Sequence, residues 1–226
     1  MSNILERINK FNLLRITYVL GLSIFFSVAI VLFRILYTES ITFGFLLWNL
    51  FLAGLPLLVS MALLIFDRLR HHTFLFWGMV SLWLIFFPNA PYIITDLIHL
   101  KPRLGVPLWF DALLLFSFVW NGLLLGYFSL YFMHNMIRER TSNLLGWGFT
   151  IVVLGLTGFG VYLGRFLRWN SWDILTNPLG LFVDIADRFV NPFIHPRTWA
   201  MTILLSTFLF LGYLVFRQMT RLELNE

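Results

Sequence analysis

The sequence predicts an all-α, polytopic transmembrane helix bundle of about six spans, the third interrupted at Pro88 and Pro91, with a short interfacial helix before the last. Three observations predict it. Hydrophobic residues make up 59% of the 226 residues and charged residues 12%, with mean hydropathy +0.83, against roughly 45–50% and 25% in soluble domains. Charge-free windows near the length a span needs, about 20 residues, recur along the whole chain. They leave no stretch long enough for a soluble domain, so 1–226 reads as a single integral membrane domain.

The windows define the elements in order. Eighteen uncharged residues separate Arg15 from Arg34, and the first span is expected near 16–36. It has no small-x-small cleavage site and Arg34 ends it directly, so it reads as a retained helix and not a cleaved leader. Uncharged stretches at 40–66 and 71–95 predict spans near 43–66 and 73–95. The next, 112–137, is interrupted only by His134 and predicts a span near 108–134; 141–164 and 198–216 predict the fifth and sixth, near 144–164 and 198–216. Before the last span, Asn177-Pro178 is a helix start and Asn191-Pro192 a stop. Between them Leu179, Phe182, Val183, Ala186, Phe189 and Val190 recur on one helical face, with Asp184, Asp187 and Arg188 on the other. At about 13 residues this helix, near 178–190, is too short to span and reads as interfacial, a possible lid, with Asp184 and Arg188 a solvated i,i+4 pair.

Six spans put both termini on one side. That face carries nine basic residues, Arg7, Lys10, Arg15, Arg68, Arg70, Arg138, Arg140, Arg217 and Arg221; the other carries Arg34, Lys101, Arg103, Arg165, Arg168, Arg188 and Arg197. Four of those seven sit in one long loop, where positive charge has less topological leverage, so both termini are expected in the cytoplasm. Glu39, Asp96, His99, Asp111, Asp173, Asp184, Asp187 and His195 then face outward. The net charge of +5 and pI near 9.9 come from scattered basic residues with no stripe or recognition motif. Nucleic acid is therefore not an expected partner, and loop anchoring to a charged bilayer accounts for the basic residues. The absence of cysteine excludes disulfides, thiolate metal sites and cysteine catalysis.

The most unusual stretch is Phe87-Pro-Asn-Ala-Pro-Tyr-Ile-Ile-Thr-Asp-Leu-Ile-His99. The helix before it, 73–87, is roughly 22 Å long, short for a bilayer core of about 30 Å. A proline-rich break at membrane depth needs packed protein or a wet cavity around it. The two prolines push Phe87 and Ala90 toward extended geometry, and a new helix is expected near Thr95, capped by the Thr95 hydroxyl or the Asp96 carboxylate. Asn89 and Tyr92 are candidate ligand contacts, because interrupted membrane helices often mark binding sites; the plainer reading is a bend in which Asn89 satisfies its own turn. Asp96 and His99 share a helical face and are the candidate catalytic pair, base and orienter. No metal site is assigned. Asp96, His99 and Asp111 are its weak candidate ligands, with Asp173, Asp184 and His195 as further ones, and a hydrogen-bonded Asp–His pair fixing the break is the simpler account.

A second cluster, Gly164-Arg-Phe-Leu-Arg-Trp-Asn-Ser-Trp-Asp173, follows the fifth span. Arg165 and Arg168 lie one turn apart beside Trp169 and Trp172 at headgroup level, and with Asn170 and Asp173 they form a candidate anion or lipid-phosphate clamp. The duller account pairs the arginines with Asp173 or Asp96, and Asn170 or Ser171 would cap the turn carrying Asp173. Asn49 and Asn121 read as interhelical hydrogen-bonding residues. Gly122-x-x-x-Gly126 and Gly160-x-x-x-Gly164 have helix-association spacing, and the glycine-rich fifth span is expected to lie centrally in the bundle. No span carries an acidic or basic residue at its centre, which argues against proton relays and voltage sensing. No phosphate-binding loop, zinc-protease or nucleophile-elbow motif is present, and the sequence names no cofactor.

The break motif through Leu100, with Trp120-Asn-Gly and the Arg165 to Asp173 cluster, resembles an uncharacterised family of bacterial multi-pass membrane proteins, domain of unknown function 1361. The resemblance implies a bacterial plasma-membrane protein and supplies no activity and no catalytic residues. Three functional classes stand. One is an outward-facing binding or accessory protein whose Asp/His/Arg cluster takes a lipid headgroup, anion or membrane-protein partner. The second is a membrane-embedded enzyme on a lipid-linked or envelope substrate, with Asp96 and His99 in acid/base or metal roles and Arg165 and Arg168 on phosphate. The third is a small transporter using the broken third span.

Overall fold

The computed structural model describes residues 13–170 and 172–222; Arg7, Lys10 and Ser171, together with the side chain of Arg221, lie outside the described residues. The described chain is almost wholly helical, with no strand beyond one isolated bridge between Arg103 and Val106. Six helices are long and apolar enough to cross a membrane. They are α1 (Leu13–Thr38), α2 (Phe45–Ile65), a third run containing α4 (Thr73–Phe86), α6 (Leu108–Arg140), α7 (Asn143–Phe166) and α10 (Pro196–Leu222). A single turn, α3 (Asp67–His71), links α2 to α4, and α5 (Asn89–Tyr92) with a 3-10 helix (Ile93–His99) extends the third run. Two short helices, α8 (Asp173–Thr176) and α9 (Pro178–Val190), precede α10. Several helices outrun the charge-free windows: α6 continues to Arg140 and α10 begins at Pro196. The first charged residue marks where the polar environment starts, and a helix can run on into it.

The chain forms two compact units, residues 1–132 and 133–226. In the first, α1 is tied to α6 by polar groups. Asn121 Nδ2 donates to Ser27 Oγ at 2.8 Å and to the Ser23 carbonyl at 3.2 Å. Trp83 of α4, fully buried, donates to Ser129 Oγ at 2.6 Å and stacks on Phe87 at 4.5 Å. Ala90 packs against the Gly122 and Gly126 pair of α6, where a Cβ on Gly122 would come within 2.7 Å of the Ala90 carbonyl oxygen. The small-residue pair thus receives the proline break itself, and a side chain there would displace it.

In the second unit α7 packs along α10. A Cβ on Gly158 would lie 2.6 Å from the Thr202 carbonyl oxygen, and Ser206 Oγ donates to the Leu154 carbonyl at 2.9 Å. His134, fully buried, shares a 2.7 Å hydrogen bond with Thr150 Oγ1 and receives Arg217, whose guanidinium also lies 4.6 Å from the Trp147 ring centroid. Arg217 therefore does not behave as a loop anchor. It is buried, its charge spread over an imidazole and an aromatic face.

Helix α9 begins as the sequence predicts, with Asn177 Oδ1 accepting the Gly180 N–H and Pro178 in the first turn. Leu181 and Ile185 pack on a core of Phe159, Tyr162 and Leu163, while Leu179, Phe182, Val183, Phe189 and Val190 are exposed. Such a surface has no stable place in water and suits hydrocarbon.

Candidate functional site

The third run does not break where its prolines suggest. Phe87 and Pro88 keep right-handed helical dihedrals, and Ala90 lies within α5, so neither Phe87 nor Ala90 is extended. Proline without its N–H is tolerated where the displaced carbonyls find other donors. Here the Ala90 N–H turns to the Phe87 carbonyl at 3.2 Å, and Asn89 Nδ2 donates to the Phe86 carbonyl at 2.9 Å. Asn89 thus satisfies its own turn. The backbone tightens into the 3-10 helix without a side-chain cap. A short helix does begin near Thr95, the 3-10 helix from Ile93, but neither Thr95 nor Asp96 is its N-cap, and Thr95 Oγ1 donates back to the Tyr92 carbonyl at 2.6 Å. Tyr92 is half-buried.

Asp96 is buried and accepts from Asn49 Nδ2 at 2.8 Å. The expected interhelical role of Asn49 is therefore met by the residue singled out as a candidate base. His99 is half-buried, with its ring edge-on to Phe45 at 5.0 Å. Asp111 sits in the first turn of α6, 1% exposed, and is gripped by two arginines. Arg34 Nε donates to Oδ1 at 2.8 Å and Arg34 Nη2 to Oδ2 at 3.4 Å, while Arg103 Nη1 reaches Oδ2 at 3.3 Å. Among the described residues no three His, Asp or Glu side chains gather in metal-binding geometry.

In the second unit, Arg165 and Arg168 end α7. The Leu167 and Trp169 N–H groups both reach the Leu163 carbonyl, at 3.1 and 3.2 Å, and between them Arg168 takes a φ of 62°. The residue just past the helix C-cap Leu167, a position where a left-handed backbone is usually taken by glycine, is here an arginine. Arg168 is exposed and has no ion-pair partner among the described residues; Arg165 is half-buried. Trp169 Nε1 donates to Asp184 Oδ2 at 2.7 Å, fastening the turn to α9.

Asp173 corrects two expectations. Neither Arg165 nor Arg168 pairs with it, and Asn170 does not cap its turn; the carboxylate does the capping. Asp173 Oδ2 accepts the Asn170 N–H at 2.6 Å and Asn170 Nδ2 at 3.3 Å, and Oδ1 accepts from Thr176 Oγ1 at 3.0 Å. The Asn170 backbone donor foremost, helped by the side chains of Thr176 and Asn170, holds its carboxyl below the usual range against the opposing effect of desolvation, which ranks second.

The Asp184 and Arg188 pair is also not simply solvated. Arg188 is buried; its Nη1 donates to the Asp184 carbonyl and, at 3.2 Å, to Asp184 Oδ1, and stands 3.8 Å from Asp187 Oδ2. His195 Nε2 meets Asp187 Oδ2 at 2.6 Å, and Asn191 Nδ2 donates to Asp187 Oδ1 at 2.8 Å. Asn191 and then His195 keep the Asp187 carboxyl below its usual range. An Asp–His hydrogen bond thus joins Asp187 and His195, eight residues apart, at a spacing the sequence reading did not single out.

Sequence reasoning missed Arg34, Arg188 and Arg217 as buried cations and Arg103 as a half-buried one. One signal was available for Arg217: His134 interrupts an otherwise apolar window, and a buried imidazole needs a partner.

The comparisons with curated proteins and with solved structures return no match. A family model described as protein of unknown function (DUF1361) matches residues 48–211, which takes in the third run, both arginine clusters from Arg103 onward and α9, and the chain belongs to that family.

Proposed function

We propose that this is a multi-pass binding or accessory protein of the bacterial plasma membrane, both termini cytoplasmic, whose outer rim after α7 holds the phosphate of an anionic lipid headgroup. Arg168 is the principal donor, with Arg165 one turn before it and Trp169 beside it. The observation that carries this reading is the φ of 62° at Arg168. A left-handed non-glycine residue costs of order 1 kcal/mol, and such strain concentrates at functional positions. Glycine would end α7 more cheaply, and arginine there supplies an exposed five-donor fork. The neighbouring acids do not compete for it: Asp173, Asp184 and Asp187 are each engaged by other donors. The exposed apolar residues of α9, with Trp172 also exposed, suit the adjoining acyl region.

The test is lipid retention. Protein reconstituted in nanodiscs of mixed phosphatidylglycerol and phosphatidylcholine, then released and weighed by native mass spectrometry, is expected to retain phosphatidylglycerol preferentially. Arg168→Gly relieves the backbone while removing the fork, and is expected to cut that preference by about 10-fold or more, the worth of a charge-assisted hydrogen bond pair. Equal retention in both proteins contradicts the proposal.

A further inference from the structure

We infer that Arg34, Asp111 and Arg103 in the first unit form a second anion site, which takes a phosphate group on the outer edge of Arg103. The charge accounting carries it. Arg34, 3% exposed, already neutralises Asp111 through a two-point contact, and its Nη1 is spent on Thr38 Oγ1 at 2.6 Å. Arg103 is thus the second cation on a single, satisfied carboxylate. Its Nη1 makes only long contacts, 3.3 Å to Asp111 and 3.4 Å to the Lys101 carbonyl, and its Nη2 reaches the His99 carbonyl at 3.2 Å. Its Nε has no partner among the described residues, and its side chain is 25% exposed while that of Asp111 is 2% exposed.

Lys101 is exposed two residues before Arg103, and Glu39, exposed, follows Thr38 with no ion pair among the described residues. Within the contact set itself two guanidiniums stand against the single Asp111 carboxylate. A surplus cation beside low-dielectric protein attracts a counter-anion far more strongly than one in water. The N-terminus of the 33-residue α6, whose first turn contains Asp111, adds partial positive charge on the same side.

The geometry selects phosphate chemistry over a simple halide. The Arg103 guanidinium lies 4.6 Å from the Phe43 ring centroid, with that of Arg34 at 5.7 Å from the same ring. An aromatic face behind the plane leaves the in-plane N–H edge for acceptors, and a tetrahedral oxyanion accepts two parallel N–H groups where a sphere cannot. A lipid headgroup and a free phosphate share this chemistry.

The experiment is run in the Arg168→Gly background, so that failure of the α7 rim and failure of this site read separately. Inorganic phosphate is titrated by calorimetry into protein in phosphatidylcholine nanodiscs, and phosphatidylglycerol retention is measured by native mass spectrometry. Arg103→Gln is expected to weaken whichever ligand binds by about 10-fold, since the buried Arg34 and Asp111 contact remains. Arg103→Lys keeps charge and loses the fork, and is expected to fall between; it also serves if the glutamine variant fails to fold. Phosphate heat that depends on Arg103 assigns a soluble anion, and Arg103-dependent lipid retention assigns a headgroup. Absence of both from the parent protein, or both unchanged in Arg103→Gln and Arg103→Lys, overturns the inference.

Discussion

The carbonyl oxygen of Ala90 faces Gly122 so closely that a Cβ added there would stand 2.7 Å away, with the Ile93 side chain at 3.1 Å. The proline-rich stretch of the third run is held in place by the absence of a side chain on a helix more than thirty residues later. Gly122→Ala is expected to destabilise by about 1–3 kcal/mol, because a backbone oxygen cannot rotate aside. Gly126→Ala, which meets only the Ala90 methyl at 3.2 Å, is expected to cost less. Thermal unfolding of the two variants in the same detergent orders them.

Asn89 offers a second, local test of the same segment. Its amide donates to the Phe86 carbonyl, a group that the detour of the Ala90 N–H leaves without its usual donor. Asn89→Leu is expected to cost about 1–3 kcal/mol, the penalty for a carbonyl left unsatisfied in the interior. Equal unfolding midpoints for this variant and the wild type would show that the carbonyl has another donor.

Arg34 and Asp111 are 77 residues apart in sequence and both buried. Asp111→Ala leaves a guanidinium inside without its carboxylate, and the expected loss is about 3–5 kcal/mol. Replacing both, as Arg34→Met with Asp111→Leu, is expected to recover most of it, because the desolvation cost disappears with the charges. A double-mutant cycle by denaturant unfolding measures the difference.

Asp173 and Asp187 set an acid limit on the turn and helix before α10. Both carboxyls are held below the usual range, Asp173 chiefly by the Asn170 N–H and Asp187 chiefly by Asn191 and then His195. A depressed folded value means the stabilisation is complete above the unfolded value of about 3.9 and is lost as pH falls through the lowered one. Amide protection in residues 172–190, taken relative to the intrinsic exchange rate at each pH, is expected to fall below about pH 4, and Asp173→Asn with Asp187→Asn is expected to flatten that dependence.

Much of this architecture is legible in one sequence. Charge-free windows locate six helices because lipid tolerates few charges, and Asn177-Pro178 and Asn191-Pro192 bracket α9 because both dipeptides act locally. The two asparagines in apolar surroundings find interhelical partners. Legibility fails where a contact depends on distant residues. Arg34 and Arg217 sit at window edges, where a basic residue normally meets headgroups, and Arg188 on the polar face of the interfacial helix, and only the fold shows that Asp111, His134 and Asp184 draw them inward. Phe87 and Ala90 stay helical because Asn89 and the Gly122 pocket accommodate the prolines, which the local preference of a residue before proline does not anticipate. Asp96 and His99 attract attention by spacing, and the fold adds what spacing does not show, that Asn49 of α2 donates to the Asp96 carboxylate.

The proposal that phosphate headgroups are met at an outer rim depends first on sidedness, and the cysteine-free chain makes that directly measurable. Single substitutions Gly105→Cys, Ser142→Cys and Ser171→Cys, probed in intact cells with a membrane-impermeant thiol reagent, are expected to label at 105 and 171 and not at 142. Labelling at 142 alone would place Arg103 and Arg168 in the cytoplasm and contradict an outward-facing site.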